Sequence, residues 1–434
     1  MPVQPEPLPT IPEDAPFDPA QRAWLNGYIS GLYSAGLLRW KSGAGPPAAD
    51  GKATGVSKGP PYTKENPFPA PLLVNRILNG KGSDKDTHHF EIALAGSQLS
   101  YEVGDALGVC PGNWPDYVED LLKAPGWRGE EVVPLPGGGT APVRDAFLTH
   151  YDITKIPRTL LEVVAERSGD AALKRRLTPE GAEELSKYVW GREVIDLFLE
   201  FPKVKLTPEE LVKQLKKLAP RLYSIASSLK AHPNEAHLTV AVVHYESNKR
   251  KRKGVCSSYM AERVPLQSTM PIFMHHNKSF RLPTDTNRPV IMVGPGTGIA
   301  PFRAFLEERR TVGAKGKNWL FFGDQHAATD FLYADEFQAM LKEGSLTRLD
   351  TAFSRDQAQK VYVQNRILEG AKDFYAWLQE GAHMYVCGDA SRMAKDVDNA
   401  LHQIIQQAGG KSAEDAAAYV QKMKAEKRYQ RDVY

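Results

Sequence analysis

At 434 residues, with 42% hydrophobic and 25% charged residues, the chain has the composition of an ordinary globular protein of two or three domains. A formal net charge of +3 excludes a strongly basic nucleic-acid binder or an acidic tail protein. No apolar run approaches the ~18 residues of a membrane span, and the N-terminus lacks the basic and apolar segments of a secretory signal. Three scattered cysteines (Cys110, Cys256, Cys387) are too few for a disulfide framework or a zinc site. The expectation is a cytoplasmic protein without a metal, a nucleic-acid partner or a membrane.

Thirteen of the 32 prolines lie in the first 70 residues, so most of that stretch cannot be regular helix or sheet. Asp18-Pro19 reads as a helix start, and Trp24, Leu25, Tyr28 and Leu32 recur at helical spacing up to Leu38. Residues 1–65 are therefore expected to be a Pro-rich arm with one short amphipathic helix, followed by a Gly/Ala/Lys/Pro linker over Lys41–Lys58. That helix could dock a partner protein or pack on its own chain.

From Phe68 the pattern predicts strands over Leu72–Leu78, Thr87–Leu94 and Leu99–Val103. Helical spacing dominates residues 114–218, with runs at Leu160 and from Leu206 to Leu218, the latter opened by Thr207-Pro208. Strand texture returns at Arg221–Ile225, His237–His244 and Thr269–Met274. The reading is an antiparallel β-barrel over residues 66–287, interrupted by a helical insertion over about 114–218. From residue 288 to 434, strand runs at Pro289, Trp319, Leu346 and His383 alternate with helical stretches. Alternation of this kind predicts a doubly wound parallel sheet.

The residues that could carry chemistry sit at the edges of these elements. Gly294 to Pro301 (GPGTGIAP), with Gly296 and Thr297 at its centre, joins a strand to a helix and suits a pyrophosphate. No acid about 20 residues on could hold a ribose hydroxyl. Ser354, Arg355, Lys360, Tyr362 and Gln364 instead suit a 2′-phosphate and an adenine, favouring NADPH. Arg221, Leu222, Tyr223 and Ser224 alternate along one short strand, and Gly254 to Ser258 is a second small-residue turn before a helix. Cys387 ends a strand, where burial makes inert packing the ordinary reading. By the general behaviour of termini, the tail ending in Tyr434 should fray.

Seven segments occur together and in order: RLYSIASS (221–228), GVCSSY (254–259), VGPGTGIAPFRAF (293–305), FFGDQ (321–325), AFSRDQAQKVYVQ (352–364), YVCGDASRMAKDV (385–397) and RYQRDVY (428–434). From Phe68 to Tyr434 the chain resembles the diflavin reductases, and among them the flavoprotein subunits of assimilatory NADPH–sulfite reductases. The resemblance implies the ferredoxin–NADP reductase architecture, with an FAD-binding barrel, a helical connecting insertion and an NADPH-binding domain. It places FAD against Arg221, Leu222, Tyr223, Ser224, Thr239, Val240, Ala241 and Tyr245. The FAD pyrophosphate falls on Gly254, Val255, Cys256 and Ser257, with Thr154 reaching in from the insertion. NADPH falls on Ser354, Arg355, Lys360, Val361, Tyr362, Val363, Gln364 and Asp396. Ser224, Cys387 and Asp432 would surround the nicotinamide and flavin N5, and Tyr434 would cover the flavin face. Family members begin with an FMN-binding flavodoxin domain, for which this chain has no room. FMN is thus expected to be absent or supplied in trans. The implied acceptor is the sirohaem subunit of sulfite reductase, with free flavodoxin, ferredoxin or an assimilatory nitrate reductase as alternatives. A non-catalytic assembly subunit is the rival from another class.

Overall fold

The computed structural model describes residues 62–434. The N-terminal helix and linker expected from the sequence lie outside the described residues. Residues Pro60–Tyr434 form one compact unit, built from the barrel, the insertion and the parallel sheet.

Six antiparallel strands make the barrel, in the order Arg221–Ser224, Ala106–Val109, Thr269–His275, Phe68–Ile77, Thr87–Ala93, Glu235–Ala241. A bridge between Ile225 and Leu238 joins the two ends. Closure leaves no edge to template aggregation. Alternate residues of these strands, including Leu72, Phe90, Ile92, Leu107, Leu238 and Ile272, fill the interior. The strand expected over Leu99–Val103 is absent, and the third strand begins at Ala106 instead. Side chains satisfy that backbone in place of a neighbouring strand: Leu99 N donates to Ser97 Oγ and Glu102 N to the buried Asp105 carboxylate.

The insertion leaves the barrel after Ala106–Val109 and returns at Arg221. Its helices pack around Val118, Phe147, Leu160, Val164, Leu173 and Leu211. Arg158–Ser168 closes on Gly169 in the left-handed region (φ 71°). The run at Leu206 forms a helix over Pro208–Val212 only, started by a Thr207–Glu210 capping box. It stops early because the following backbone pairs with another segment: Leu218 N donates to His150 O, and Asp152 N to Lys216 O.

Five parallel strands form the second sheet, in the order Arg348–Phe353, Asn318–Asp324, Val290–Val293, His383–Gly388, Tyr429–Val433. Both faces are covered, as parallel sheets require. Val293, Phe321 and Val386 point to one helical layer, and Met292, Leu320 and Cys387 to the other. The C-terminal tail does not fray. Tyr429–Val433 pairs in register with Met384–Gly388, so its backbone bonds are made inside the sheet.

A charged hairpin absent from the sequence reading, His244–Ser247 with Arg250–Lys253, ties the barrel to the insertion. Arg252 is buried there between Glu193 (2.7 Å) and Asp196 (2.6 Å) at the start of a helix. Burial pushes the Glu193 carboxyl up to about 7 against the pull of Arg252. Removing the cation would strand two buried carboxylates. Arg252→Ala should cost roughly 3–5 kcal/mol in urea denaturation, whereas Arg250→Ala, which breaks the more exposed pair with Asp120, should cost less than about 1 kcal/mol. Equal small losses would contradict a structural role for the buried triad.

Candidate active site

The strand Arg221–Ser224 pairs with Ala106–Val109, Ser224 lying opposite Ala106. Leu222 is half exposed although apolar. It faces a cavity of about 660 Å³ between the barrel and the insertion, which Thr154, Arg221, Tyr223, Tyr245 and Lys253 also line. Gly254 opens the helix Val255–Ser258 at one wall, and its first-turn amides have no acceptor within the helix. A Cβ at Gly254 would sit 2.5 Å from Ser257 Oγ and 2.8 Å from Val243 Cβ, so this close turn needs glycine. The Cys256 side chain does not face the cavity as a reactive group. It belongs to the barrel core, where burial pushes its thiol up to about 12. Thr154 Oγ1 is held by Asp152 (2.7 Å).

Leu222, Tyr223 and Ala241 also line a second cavity of about 500 Å³, with Ser224, Thr239, Val240, Thr297, Asp432 and Tyr434. Here the two halves of the molecule meet. Ser224 Oγ donates to Asp432 Oδ2 at 2.8 Å. Asp432 stands in register with Cys387 on the neighbouring parallel strand. Cys387 is fully buried, and burial, followed by the Asp432 charge, raises its thiol well above the ordinary range. It is held as a neutral thiol beside a carboxylate and a hydroxyl. Three segments far apart in sequence thus converge on one point. The Thr239 hydroxyl turns away from this point to Tyr333 OH (2.7 Å). His275 and Asn277, which nothing in their local sequence singled out, line the same cavity.

The Gly294–Pro301 loop reaches the site from the centre of the sheet. Gly296 has φ +56°, and a Cβ at Gly298 would overlap the Cys387 carbonyl. The loop therefore lies directly on the strand end that carries Cys387. Tyr434 hydrogen-bonds Gly388 O through its amide (3.1 Å), and its hydroxyl meets Thr297 Oγ1 at 3.1 Å. Tyr434, with Ala241 and Thr297, lines both the second cavity and a third of about 690 Å³, which Lys85, Gly296, Asp324 and Asp389 also line.

Those four residues continue into a fourth cavity, about 570 Å³, with Ser354, Tyr362, Gln364, Arg392 and Asp396. Lys85 pairs with the buried Asp324 across its entrance. Gln325 lines it as well, and its buried Oε1 has no hydrogen-bond partner among the described residues. Arg355 and Lys360 stand on the exposed loop beside it, Arg355 pairing with Asp84 at 3.3 Å. Val361 and Val363 pack on the hydrophobic layer beneath, and Val363 also lines the cavity. The four cavities share residues end to end and form one track from Thr154 to Asp396. Ser224, Cys387 and Asp432 lie near its middle. Such a track fits two dinucleotides meeting tip to tip, with basic and hydroxyl groups at both ends.

Two family models match the chain: an FAD binding domain over residues 60–259 and an oxidoreductase NAD-binding domain over residues 292–399. The chain is 47% identical over 427 residues to the sulfite reductase (NADPH) flavoprotein alpha-component of Bacillus subtilis (strain 168), covering 98% of this chain and 69% of that protein. It is 43% identical over 427 residues to the protein of that name from Cronobacter sakazakii, covering 98% and 70%. The corresponding protein of Vibrio parahaemolyticus is 47% identical over 373 residues, 86% of this chain and 59% of its own length. The chain thus spans about three fifths to seven tenths of the length of these relatives.

Proposed function

Because the chain belongs to the family of sulfite reductase (NADPH) flavoprotein alpha-components, we propose that it is an NADPH-oxidising FAD flavoprotein that delivers electrons to a protein acceptor. The acceptor is the sirohaem subunit of an assimilatory sulfite reductase. FAD, when bound, supplies the redox chemistry, accepting a hydride and releasing electrons singly. The convergence of Ser224, Asp432 and Cys387 where the two halves of the track meet carries this reading. A scaffold subunit would need none of the three.

The residues divide the work. Arg221 and the amides of Val255, Cys256 and Ser257 hold the FAD phosphates, while Tyr223 and Tyr245 offer aromatic faces to its rings. Ser354, Arg355, Lys360, Tyr362 and Gln364 hold the 2′-phosphate end of NADPH, with Asp396 beside them. At the centre Asp432 accepts the Ser224 hydroxyl proton, so the Ser224 oxygen would be free to accept a hydrogen bond from the flavin and hand a proton on to Asp432. Cys387, kept neutral, lies buried behind Asp432 and the glycine loop and backs the nicotinamide position from beneath with an uncharged side chain. Tyr434 blocks the nicotinamide position until it swings aside.

Three outcomes follow from these roles. The purified protein, saturated with FAD, should oxidise NADPH with ferricyanide and, given the sirohaem subunit, reduce sulfite. NADPH oxidation without sulfite reduction would point to flavodoxin, ferredoxin or nitrate reductase as the acceptor, and absence of both activities would support the scaffold reading. Arg355→Ala should raise KM for NADPH about ten- to a hundred-fold, as expected for loss of a charge-assisted phosphate contact. KM for NADH should barely move, and equal losses for both coenzymes would remove Arg355 from the 2′-phosphate site. Tyr434→Ala should tighten NADP⁺ binding and raise the NADH/NADPH activity ratio, because ring stacking no longer competes with the nicotinamide. An unchanged ratio with unchanged NADP⁺ affinity would contradict the gate.

A further inference from the structure

The outer face of the barrel carries a second cluster of chemistry-bearing side chains, remote in kind from the redox centre. Strands Thr87–Ala93 and Glu235–Ala241 run antiparallel, with Glu91 opposite His237 and His89 opposite Thr239. Residues two apart share a face. The pattern His89-Phe-Glu91 on one strand and Glu235-Ala-His237 on the other therefore gathers two imidazoles and two carboxylates on one side. Phe90, Ile92 and Leu238 between them point into the barrel core.

The ligand atoms are already close. His89 Nε2 lies 3.1 Å from Glu91 Oε1, and His237 Nε2 lies 3.0 Å from Glu235 Oε2. His89, Glu91 and His237 can offer three atoms all within 4.8 Å of one another, and so can His232, Glu235 and His237. The side chains of His89 and His237 are 1% and 2% exposed, against about a third for Glu91, Glu235 and His232. Two fixed imidazoles thus form the floor of a site whose mouth is open to solvent. His89 is also braced from behind, its Nδ1 lying 2.9 Å from Tyr333 OH. A partner on the second ring nitrogen is what orients a metal-bound histidine.

The geometry points to a binding site for a divalent first-row transition metal ion, with Zn²⁺ as the best fit, held by His89, Glu91 and His237, with Glu235 swinging in from the His237 side as the fourth ligand and His232 at its edge. Four-coordinate zinc, with bonds of about 2.0–2.1 Å, places its ligand atoms about 3.3 Å apart. The His89–Glu91 and His237–Glu235 pairs need to open by only a few tenths of an ångström, and the part-exposed Glu235 side chain has to swing toward His89 and Glu91 to complete the four. Two carboxylates balance the charge of the ion. Mg²⁺ and Ca²⁺, which take six or more oxygens, do not suit a site with two imidazoles.

Without an ion, each Nε2–H can donate to its carboxylate. Binding moves that proton within each neutral ring to Nδ1, and the metal–nitrogen bond forms at Nε2, with no net release of protons. At His89 the Tyr333 oxygen accepts the relocated proton. At His237 the relocated proton faces the Arg303 Nη1 donor, so the long 3.4 Å contact is lost and no acceptor replaces it, a cost that the metal–nitrogen bond has to exceed; Arg303 keeps Ala226 O (2.8 Å), Glu307 and Glu336. Arg303 and Glu307 stand on the helix Ala300–Thr311 of the nucleotide half, and Glu307 also reaches His232 (3.2 Å). A bound ion would stiffen the seam between the barrel and the parallel sheet. The sequence reading expected no metal because it sought cysteines, and only strand pairing brings these histidines together.

The test uses untagged full-length protein, stripped with a chelator and titrated with ZnCl₂ by calorimetry, with retained metal counted after gel filtration. One equivalent of zinc should be retained and should raise the melting temperature, while MgCl₂ should do neither. His237→Ala should weaken zinc binding at least about tenfold. Glu235→Gln changes a part-exposed side chain at constant shape, and should do the same even if His237→Ala folds poorly. No retained zinc, or binding undiminished in folded Glu235→Gln and in Glu91→Gln, would overturn the site.

Discussion

The hydrogen bond from Ser224 Oγ to Asp432 Oδ2 is the point on which the rest of the arrangement depends. It joins an antiparallel barrel strand to the last strand of a parallel sheet, and neither element could position the other by local sequence alone. Ser224 is fixed by its pairing with Ala106, and Asp432 by its register with Cys387. A slip of one residue in either strand would turn the side chain to the opposite face. The closed barrel and the doubly covered sheet therefore do more than bury apolar surface. They hold two registers constant, and the site is the place where those registers coincide.

The parallel sheet sets the second condition. Its central strand, Val290–Val293, neighbours both Asn318–Asp324 and His383–Gly388, so the chain order reverses there and a crevice opens at the carboxyl ends. The glycine loop lies in that crevice, close enough that Gly298 meets the Cys387 carbonyl. That close approach also seals the floor beneath Cys387. Burial then keeps the thiol protonated, which suits packing against an uncharged ring better than nucleophilic attack.

Much of this was legible in the sequence because it is local. The Thr207 capping box, the glycine loop, the buried strand runs of the sheet and the seven ordered motifs each occupy a short window, and the two families of domain matched along the chain agree with that reading. What escaped depends on contacts between distant segments. The KRKRK run carries no local sign of burial, yet Arg252 within it is buried because Glu193 and Asp196 meet it from the insertion. The Leu206–Leu218 periodicity promised a longer helix than forms, because Lys216 and Leu218 pair with the Tyr151 region. The tail was expected to fray, and pairing with Met384–Gly388 holds it. His275 and Asn277 reach the central cavity from the end of a barrel strand with no motif to announce them.

The central claim is that Ser224 and Asp432 act as one unit on hydride transfer rather than on coenzyme binding. A double-mutant cycle of Ser224→Ala, Asp432→Asn and the double variant, read by stopped-flow flavin reduction at saturating NADPH, tests it most directly. The account predicts a slower limiting rate in each single variant, and a double variant little slower than the worse of the two. An unchanged limiting rate with only a raised NADPH requirement, or two losses that add in full, would contradict it.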